Sequence, residues 1–406
     1  MYVADDKNPV SLTSPFNPDS AYAHVAALCY PRRVGTAEER RAARYITRVY
    51  DAHGLDWWRE PFPLSYYPTE VGNRLAFTLC AALTVVGALV VPVVPLVSAV
   101  CWGIAALLVN CPWKLAHYLR SRWPIHTHSA NLVATLADAP ANPPARVVFM
   151  AHYDTKSQFV PTGVRVGLVT TATVMSGLLA LAGLLAALGA PQLLAALDLW
   201  HGTAVVVLVL AFLVANFSGN CSPGALDNGS GVGALLELAR TWRPQPEAPV
   251  EVVWVATGAE EVGLNGARAF LERYDSWWDE RPTLLINLES VGAGPQLYLA
   301  GEPQAYHLAR AVAEDLGYEP KMLRVLGAGM DHEPFAARRL TSVSILGDVV
   351  RRSFAMHSRR DNLAIIDRAA LARAGHLAAQ LAWEWAAMHA PADETAAAER
   401  PAMPVT

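Results

Sequence analysis

The sequence predicts an α/β chain: a three-layer arrangement of a mostly parallel mixed sheet between helices, with about four transmembrane helices inserted as two hairpins. Three observations predict it. Short apolar strand-like runs alternate with stretches of helical period, the pattern of a sheet covered on both faces. Two long stretches carry no charge at all. Short patches of acid and histidine follow the apolar strands directly or within a few residues.

The 406 residues allow two or three domains, or one large α/β domain with additions. Hydrophobic residues make up 53% and charged residues 17%, a balance shifted toward membrane proteins. The formal net charge of -4 gives no electrostatic footprint for nucleic acid. The five cysteines are odd in number and lack CxxC spacing, which argues against a disulfide framework or a zinc finger. No motif sets an oligomeric state.

The elements follow in order. Met1 to Ser20 is polar, so no signal peptide is expected. Thr36-Ala37-Glu38-Glu39 forms a capping box for a helix reaching about His53, with Ala42, Tyr45, Ile46 and Val49 on one face. Residues 1–73 are therefore read as the first part of the soluble domain. Leu75 to Trp113 is uncharged and as one helix would extend roughly 58 Å, twice a bilayer core. Two spans turning at Pro92 and Pro95 fit better, giving a first hairpin over 74–113. Core residues resume over 114–165. A second hairpin over 166–217 consists of Val166–Ala190 and Leu199–Phe217, turning near Pro191 to His201. Lys114, Arg120, Arg122, Lys156 and Arg165 flank the spans, and neither turn carries Lys or Arg. The positive-inside rule then makes this an integral membrane protein with its soluble domain on the cytoplasmic side.

The remaining core runs over 218–390. Strands are expected at Asn131–Leu136, Val147–Ala151, Val250–Ala256, Leu284–Leu288 and Val343–Leu346. Helices are expected at Gly231–Arg240, Leu264–Tyr274, Tyr306–Leu316 and Asp367–Met388. The tail over 391–406, rich in Ala, Pro and Glu, is expected to be disordered.

In a parallel sheet the ligand crevice lies beyond the carboxyl ends of the strands. His152, Glu260 and Glu289, which follow apolar strands directly or within a few residues, should therefore converge there, with Tyr153 and Asp154 beside His152 and Glu261 beside Glu260. Asp227-Asn228, in a loop opening a helix, and His357, in a later loop, complete the set of patches. Taken singly each has a plain reading: a solvated Glu pair, a turn at Asp-Asn-Gly, a helix cap, a His in a basic loop. Those readings do not predict the order of the patches or their places after strands. Imidazoles and carboxylates in this order suit a pair of divalent metals. Asp227 is the natural bridge, with His152 and Glu289 on one metal and Glu261 and His357 on the other. Glu260 is left as general base, and Asp154 is placed to accept a hydrogen bond from His152.

At these residues the chain resembles the M28 family of zinc peptidases. The stretches that carry the resemblance are VVFMAHYDTK (147–156), PGALDNGSGVGALLELAR (223–240), VVWVATGAEEVGLNGARAF (252–270), LLINLES (284–290), MDHEPF (330–335) and MHSRRDNLAIID (356–367). The resemblance implies a phosphorylase/hydrolase-like α/β/α core, two zinc ions held by His152, Asp227, Glu261, Glu289 and His357, Glu260 as base, and a cis peptide at Asp227–Asn228. It implies a peptide substrate trimmed from its amino end, with Asp331 and His332 supporting the site. Ligand chemistry alone leaves other divalent metals open. Two features depart from the family: Glu289 stands where Asp is more common, and the hairpins interrupt the core. A glutaminyl-cyclase-like single-zinc enzyme and a catalytically inactive receptor on the same fold are the rival readings. The hairpins add the lipid bilayer as a partner and would hold the site near its surface.

Overall fold

A computed structural model describes residues 16–110, 123–139, 142–190, 199–324 and 329–391. All but the first residue of the tail expected over 391–406 and most of the second hairpin's turn lie outside these residues, as do Lys114, Arg120 and Arg122. Helices α1 (Pro18–Leu28) and α2 (Ala37–Ala52) open the fold. The cap of α2 differs slightly from the expected box. Thr36 accepts from the Glu39 amide, but Glu39 reaches one residue further back, to the Gly35 amide at 2.6 Å.

Eight strands form one sheet in the order β1-β2-β6-β3-β7-β10-β8-β9. These are β1 (Leu55–Leu64), β2 (Thr127–Leu136), β3 (Arg146–His152), β6 (Glu251–Thr257), β7 (Thr283–Glu289), β8 (Tyr298–Gly301), β9 (Lys321–Met322) and β10 (Ser342–Leu346). The central four, β6-β3-β7-β10, are parallel. Antiparallel pairs join β1 to β2, β2 to β6 and β8 to β10. A small ribbon pairs β4 (Ser157–Gln158) with β5 (Ser218–Gly219).

The central strands are buried on both faces, and their side chains alternate between two cores. Val147, Phe149, Ala151, Val252 and Trp254 join the core that also holds α1, α2, α7 (Gly231–Thr241), α9 (Pro303–Asp315) and α10 (Arg368–Met388). Val148, Met150, Val253, Val255 and Leu285 meet Phe270 and Leu271 of α8 (Asn265–Arg273) and Phe335 on the other side. This alternation makes the three layers.

Besides the short strands β4, β5, β8 and β9, two longer elements were not expected. α1 lies in a segment whose polar residues mask its buried stripe of Ala21, Val25 and Leu28, which packs on α7. β1 runs where the sequence suggests only a connection. Its two prolines, Pro61 and Pro63, are compatible with an edge strand, and β1 pairs only with β2.

The apolar segments form four helices packed on one another: α3 (Asn73–Val90), α4 (Pro95–Asn110), α5 (Thr162–Ala187) and α6 (Leu199–Val214). The first turn falls at 91–94, with Pro92 inside it and Pro95 opening α4. α5 begins before the uncharged run and so includes Arg165. Trp102 is fully buried and donates to the Thr84 carbonyl at 3.0 Å. Gly87 leaves it room, since a Cβ there would sit 2.7 Å from the indole nitrogen. The outer faces expose Leu75, Leu89, Val93, Leu107, Leu178 and Leu208. Two helices, Pro68–Val90 and Thr162–Ala187, are long and apolar enough to cross a membrane. The other two have 16 described residues each, about 24 Å, short of a bilayer core. Of the four spans expected, two helices therefore reach spanning length, and the other two are apolar but shorter among the described residues.

Candidate metal centre

Adjacent parallel strands bring the site together. His152 is the last residue of β3 and Glu289 the last of its neighbour β7. Glu260 and Glu261 follow β6, the neighbour on the other side. Asp227 comes from the bend just before α7, where the Asp227–Asn228 peptide is cis. His357 comes from the loop after β10 and has a positive φ of 60°. All six are buried.

The two oxygens of Asp227 face opposite ways. Oδ1 lies 3.2 Å from Nε2 of His152, and Oδ2 lies 2.9 Å from Nε2 of His357. Glu289 Oε1 is 3.3 Å from His152 Nε2, and Glu261 Oε1 is 3.1 Å from His357 Nε2. Two groups result, His152–Asp227–Glu289 and Asp227–Glu261–His357, each with its potential ligand atoms within 4.8 Å of one another. Asp227 belongs to both. Glu260 belongs to neither, its carboxylate lying 3.9 Å from His152 Nε2 while lining the same cavity.

These residues fit a pair of divalent cations. The Nδ1 atoms of both histidines are engaged elsewhere, facing the Asp154 carbonyl at 3.2 Å and the Thr162 hydroxyl at 2.8 Å. That leaves each Nε2 for a ligand role. Asp227, Glu260, Glu261 and Glu289 form a buried acidic cluster of the kind that needs cationic compensation. Lys156 supplies part of it, its ammonium 2.7 Å from Glu261, and Arg165 brings a second positive charge toward the same carboxylates.

The electrostatics follow from burial and these neighbours. Burial pushes the Glu260 carboxyl well above its ordinary range; His152 opposes this, while Glu261, Glu289 and Asp331 reinforce it. Burial acts upward on Glu261 as well, but His357 and Lys156 outweigh it and hold the group at about 2. Asp227 is held well below the usual carboxylate range because its bonds to His152 and His357 overcome burial. Burial disfavours both charged imidazoles, yet Glu289 and Glu260 raise His152, and Glu261 raises His357.

Asp154 has a different partner from the one expected. Its carboxylate is 3.6 Å from His152 Nδ1, beyond hydrogen-bond reach, and the ring meets its main-chain oxygen instead. The carboxylate accepts from the Glu260 and Glu261 amides at 3.1 and 3.3 Å. Asp331 and His332 stand outside both groups. Asp331 accepts from Thr257 at 2.5 Å, and burial raises it to about 7. His332 meets the Ser344 hydroxyl at 2.7 Å, and burial lowers it to about 4.

Several residues position the loops of the site, and neither Asp361 nor Arg32 was assigned a role there from the sequence. Asp361 accepts from the Leu226 and Asp227 amides at 2.6 and 3.2 Å and so holds the Asp227 loop. Asn228 donates to the Leu288 carbonyl and accepts from the Ser290 amide, tying that loop to the end of β7. Arg32 is fully buried and donates to the carbonyls of Leu28, Tyr153, Pro223 and Gly224 at 2.6–2.8 Å. It clamps the loop after β3 to the loop before Asp227.

A profile of peptidase family M28 matches residues 131–382, more than half of the sequence. The chain belongs to peptidase family M28. Among curated relatives, aminopeptidase YwaD of Bacillus subtilis (strain 168) is 30% identical over 174 residues, covering 40% of this chain and 38% of that protein. The vacuolar membrane protease of Schizosaccharomyces japonicus is 43% identical over 77 residues, 19% of this chain and 8% of that protein. This M28 chain therefore spans well under half the length of either relative. In fold it is similar to BSAP, a zinc aminopeptidase from Bacillus subtilis, with a TM-score of 0.54, 17% identity and coverage of 92% and 95% of the two chains. It is similar to a glutaminyl cyclase from Fimbriiglobus ruber to the same degree, with a TM-score of 0.54, 16% identity and coverage of 94% and 99%.

Proposed function

We propose that this protein is a membrane-anchored exopeptidase that uses two divalent metals, zinc by family, to remove amino-terminal residues from peptides. The observation that carries the reading is the division of Asp227 between two ligand groups, which favours two ions over the single zinc of the cyclase alternative. His152 and Glu289 would hold one ion, Glu261 and His357 the other. Bound ions of this kind acidify water and polarise a carbonyl. Glu260, outside both ligand sets and in the cavity wall, would take the proton of the attacking water and return it to the leaving amine. Its raised proton affinity suits a carboxylate that must hold a proton mid-reaction. Asp154 would set its position through the Glu260 amide. The presence of every ligand and the base argues against an inactive receptor.

The membrane part rests on the four-helix bundle with its exposed apolar faces and on the two helices of spanning length. Four spans grouped as two hairpins, with the peptidase layers over 1–73, 114–165 and 218–390, are the arrangement we favour. Arg74, Lys156 and Arg165 lie at the domain end of the bundle, and the turn at 91–94 carries no positive charge, which supports a cytoplasmic peptidase domain.

The test is a mixed-sequence peptide library incubated with the detergent-purified, zinc-supplied protein and read by mass spectrometry, with Glu260→Gln as control. Stepwise loss of amino-terminal residues by the wild type alone is expected. Cyclised amino-terminal glutamine with no trimming would favour the cyclase reading. Equal trimming by Glu260→Gln would remove Glu260 as base.

A further inference from the structure

The cavity over the metal groups, about 550 Å³, is not confined to the peptidase layers. Asp227, Glu260 and Glu289 line one part of it. All four apolar helices line another: Phe77 from α3, Val109 from α4, Val166 and Val169 from α5, and Leu213 from α6. The volume lies within the usual range for ligand sites, roughly 300–1,000 Å³, and the mixture of a few polar groups with an apolar wall is typical of them. Here the apolar wall is the inserted bundle itself.

The rim beside this wall is also apolar and open. Phe354 lines the cavity and is 58% exposed. Phe217 is 59% exposed and lies under the guanidinium of Arg74, another lining residue. Phe159 is 71% exposed and its amide donates to the Phe217 carbonyl. Exposed aromatics next to cations at the end of apolar helices suit the headgroup level of a bilayer.

Resting on the exopeptidase reading, we infer that the substrate is a bilayer-associated polypeptide whose apolar segment begins within a few residues of its amino terminus. Its terminal residue meets the metal groups, and the apolar residues behind it lie against α3, α4, α5 and α6. A freely soluble polar peptide satisfies only the first part of that cavity.

The experiment uses the full chain, zinc-loaded, in phosphatidylcholine nanodiscs. Two synthetic peptides share their first three residues; one continues with Leu, Val and Ala, the other with Ser, Gly and Gln. A third copies the apolar peptide with photoreactive leucine behind the shared residues. The apolar peptide should show at least tenfold higher kcat/KM, carried by KM, and its photoproducts should map to the four helices. Phe77→Asn and Val166→Asn should cut the ratio between the two peptides below threefold. Misfolding of these variants would also lower the ratio, so the crosslink map on the wild type is the independent readout. Equal kcat/KM for both peptides would overturn the inference and leave the exopeptidase reading standing. A tenfold advantage without crosslinks to the four helices would also overturn it, since partition into lipid then explains the gain. Hydrolysis of neither peptide would remove the exopeptidase reading and this inference with it.

Discussion

The hydroxyl of Thr162 lies 2.8 Å from Nδ1 of His357. Thr162 is the first residue of α5, so the second hairpin begins by touching a proposed metal ligand. This contact fixes the ring so that Nε2 faces Asp227 and Glu261. Thr162→Val should weaken zinc binding at that ion about 10- to 100-fold, the usual cost of losing such a partner. Thr162→Ser should restore it. Competition with a zinc chelator measures both, and unchanged affinity in Thr162→Val would assign the hydroxyl a purely helix-starting role.

The shared carboxylate predicts an unequal pattern of metal loss. His357→Ala and Glu289→Ala should each retain about one ion per chain, because each removes a ligand from one group only. Asp227→Ala should retain neither at the same free zinc. Elemental analysis after gel filtration reads this directly.

Zinc binding should also depend on pH with a definite sign. Both proposed ligand histidines are raised by their carboxylate neighbours, so each tends to hold its proton in the ion-free protein. A metal must displace those protons. Affinity should therefore rise with pH until the raised values are passed and fall as pH is lowered. Calorimetric titration in buffers of different ionisation enthalpy should detect proton release on binding; none would contradict the raised histidines.

Arg32 predicts a stability effect away from the metals. Arg32→Met keeps the apolar bulk but leaves the carbonyls of Leu28, Tyr153, Pro223 and Gly224 without their donor. Each unsatisfied buried group costs about 1–3 kcal/mol, so the loss should be about 3 kcal/mol or more. Thermal unfolding measures it, and a shift in Tm of under a degree would show that the loops are held by other contacts.

Glu39 predicts a pH-dependent stability of its own. Burial raises its carboxyl from 4.5 to about 7, against the hydrogen bonds from Ser129 and the Gly35 amide. The fold thus favours the neutral acid. The stabilisation is complete below about 4.5 and is lost as pH rises toward 7, a decline of roughly 3 kcal/mol. Glu39→Gln stays neutral throughout and should lose less stability between pH 5 and 8 than the wild type. Parallel unfolding curves for the two proteins would show that Glu39 titrates normally.

What the sequence made legible follows from how local each signal is. Apolar runs such as VVFMA and LLINL mark buried parallel strands because both faces must be apolar, and β3 and β7 lie where those runs stand. His152, Glu260, Glu261 and Glu289 were readable because they follow such strands directly or within a few residues. β1 was not, since Pro61 and Pro63 argue against a strand except at a sheet edge, where β1 lies with both prolines on its exposed face. Arg32 and Asp361 were invisible for a different reason. Apart from the Leu28 and Tyr30 carbonyls close to Arg32, their partners are main-chain groups between about 120 and 190 residues away, and no side-chain pattern encodes them. Thr162 carries no sequence signal of its own, and only the folded chain brings it to His357.

His152 is completed before the chain enters α5, whereas Asp227 and His357 come after α6 has ended. The two halves of the centre are thus separated by an excursion of the chain through its most apolar segments. In the membrane arrangement proposed above, a chain that enters at Thr162 but fails to come back at Asn216 would leave His152 and Asp227 stranded on opposite sides. The proposed hydrolytic competence would then be acquired only after correct insertion, so the centre itself would report that the nascent protein has been threaded properly.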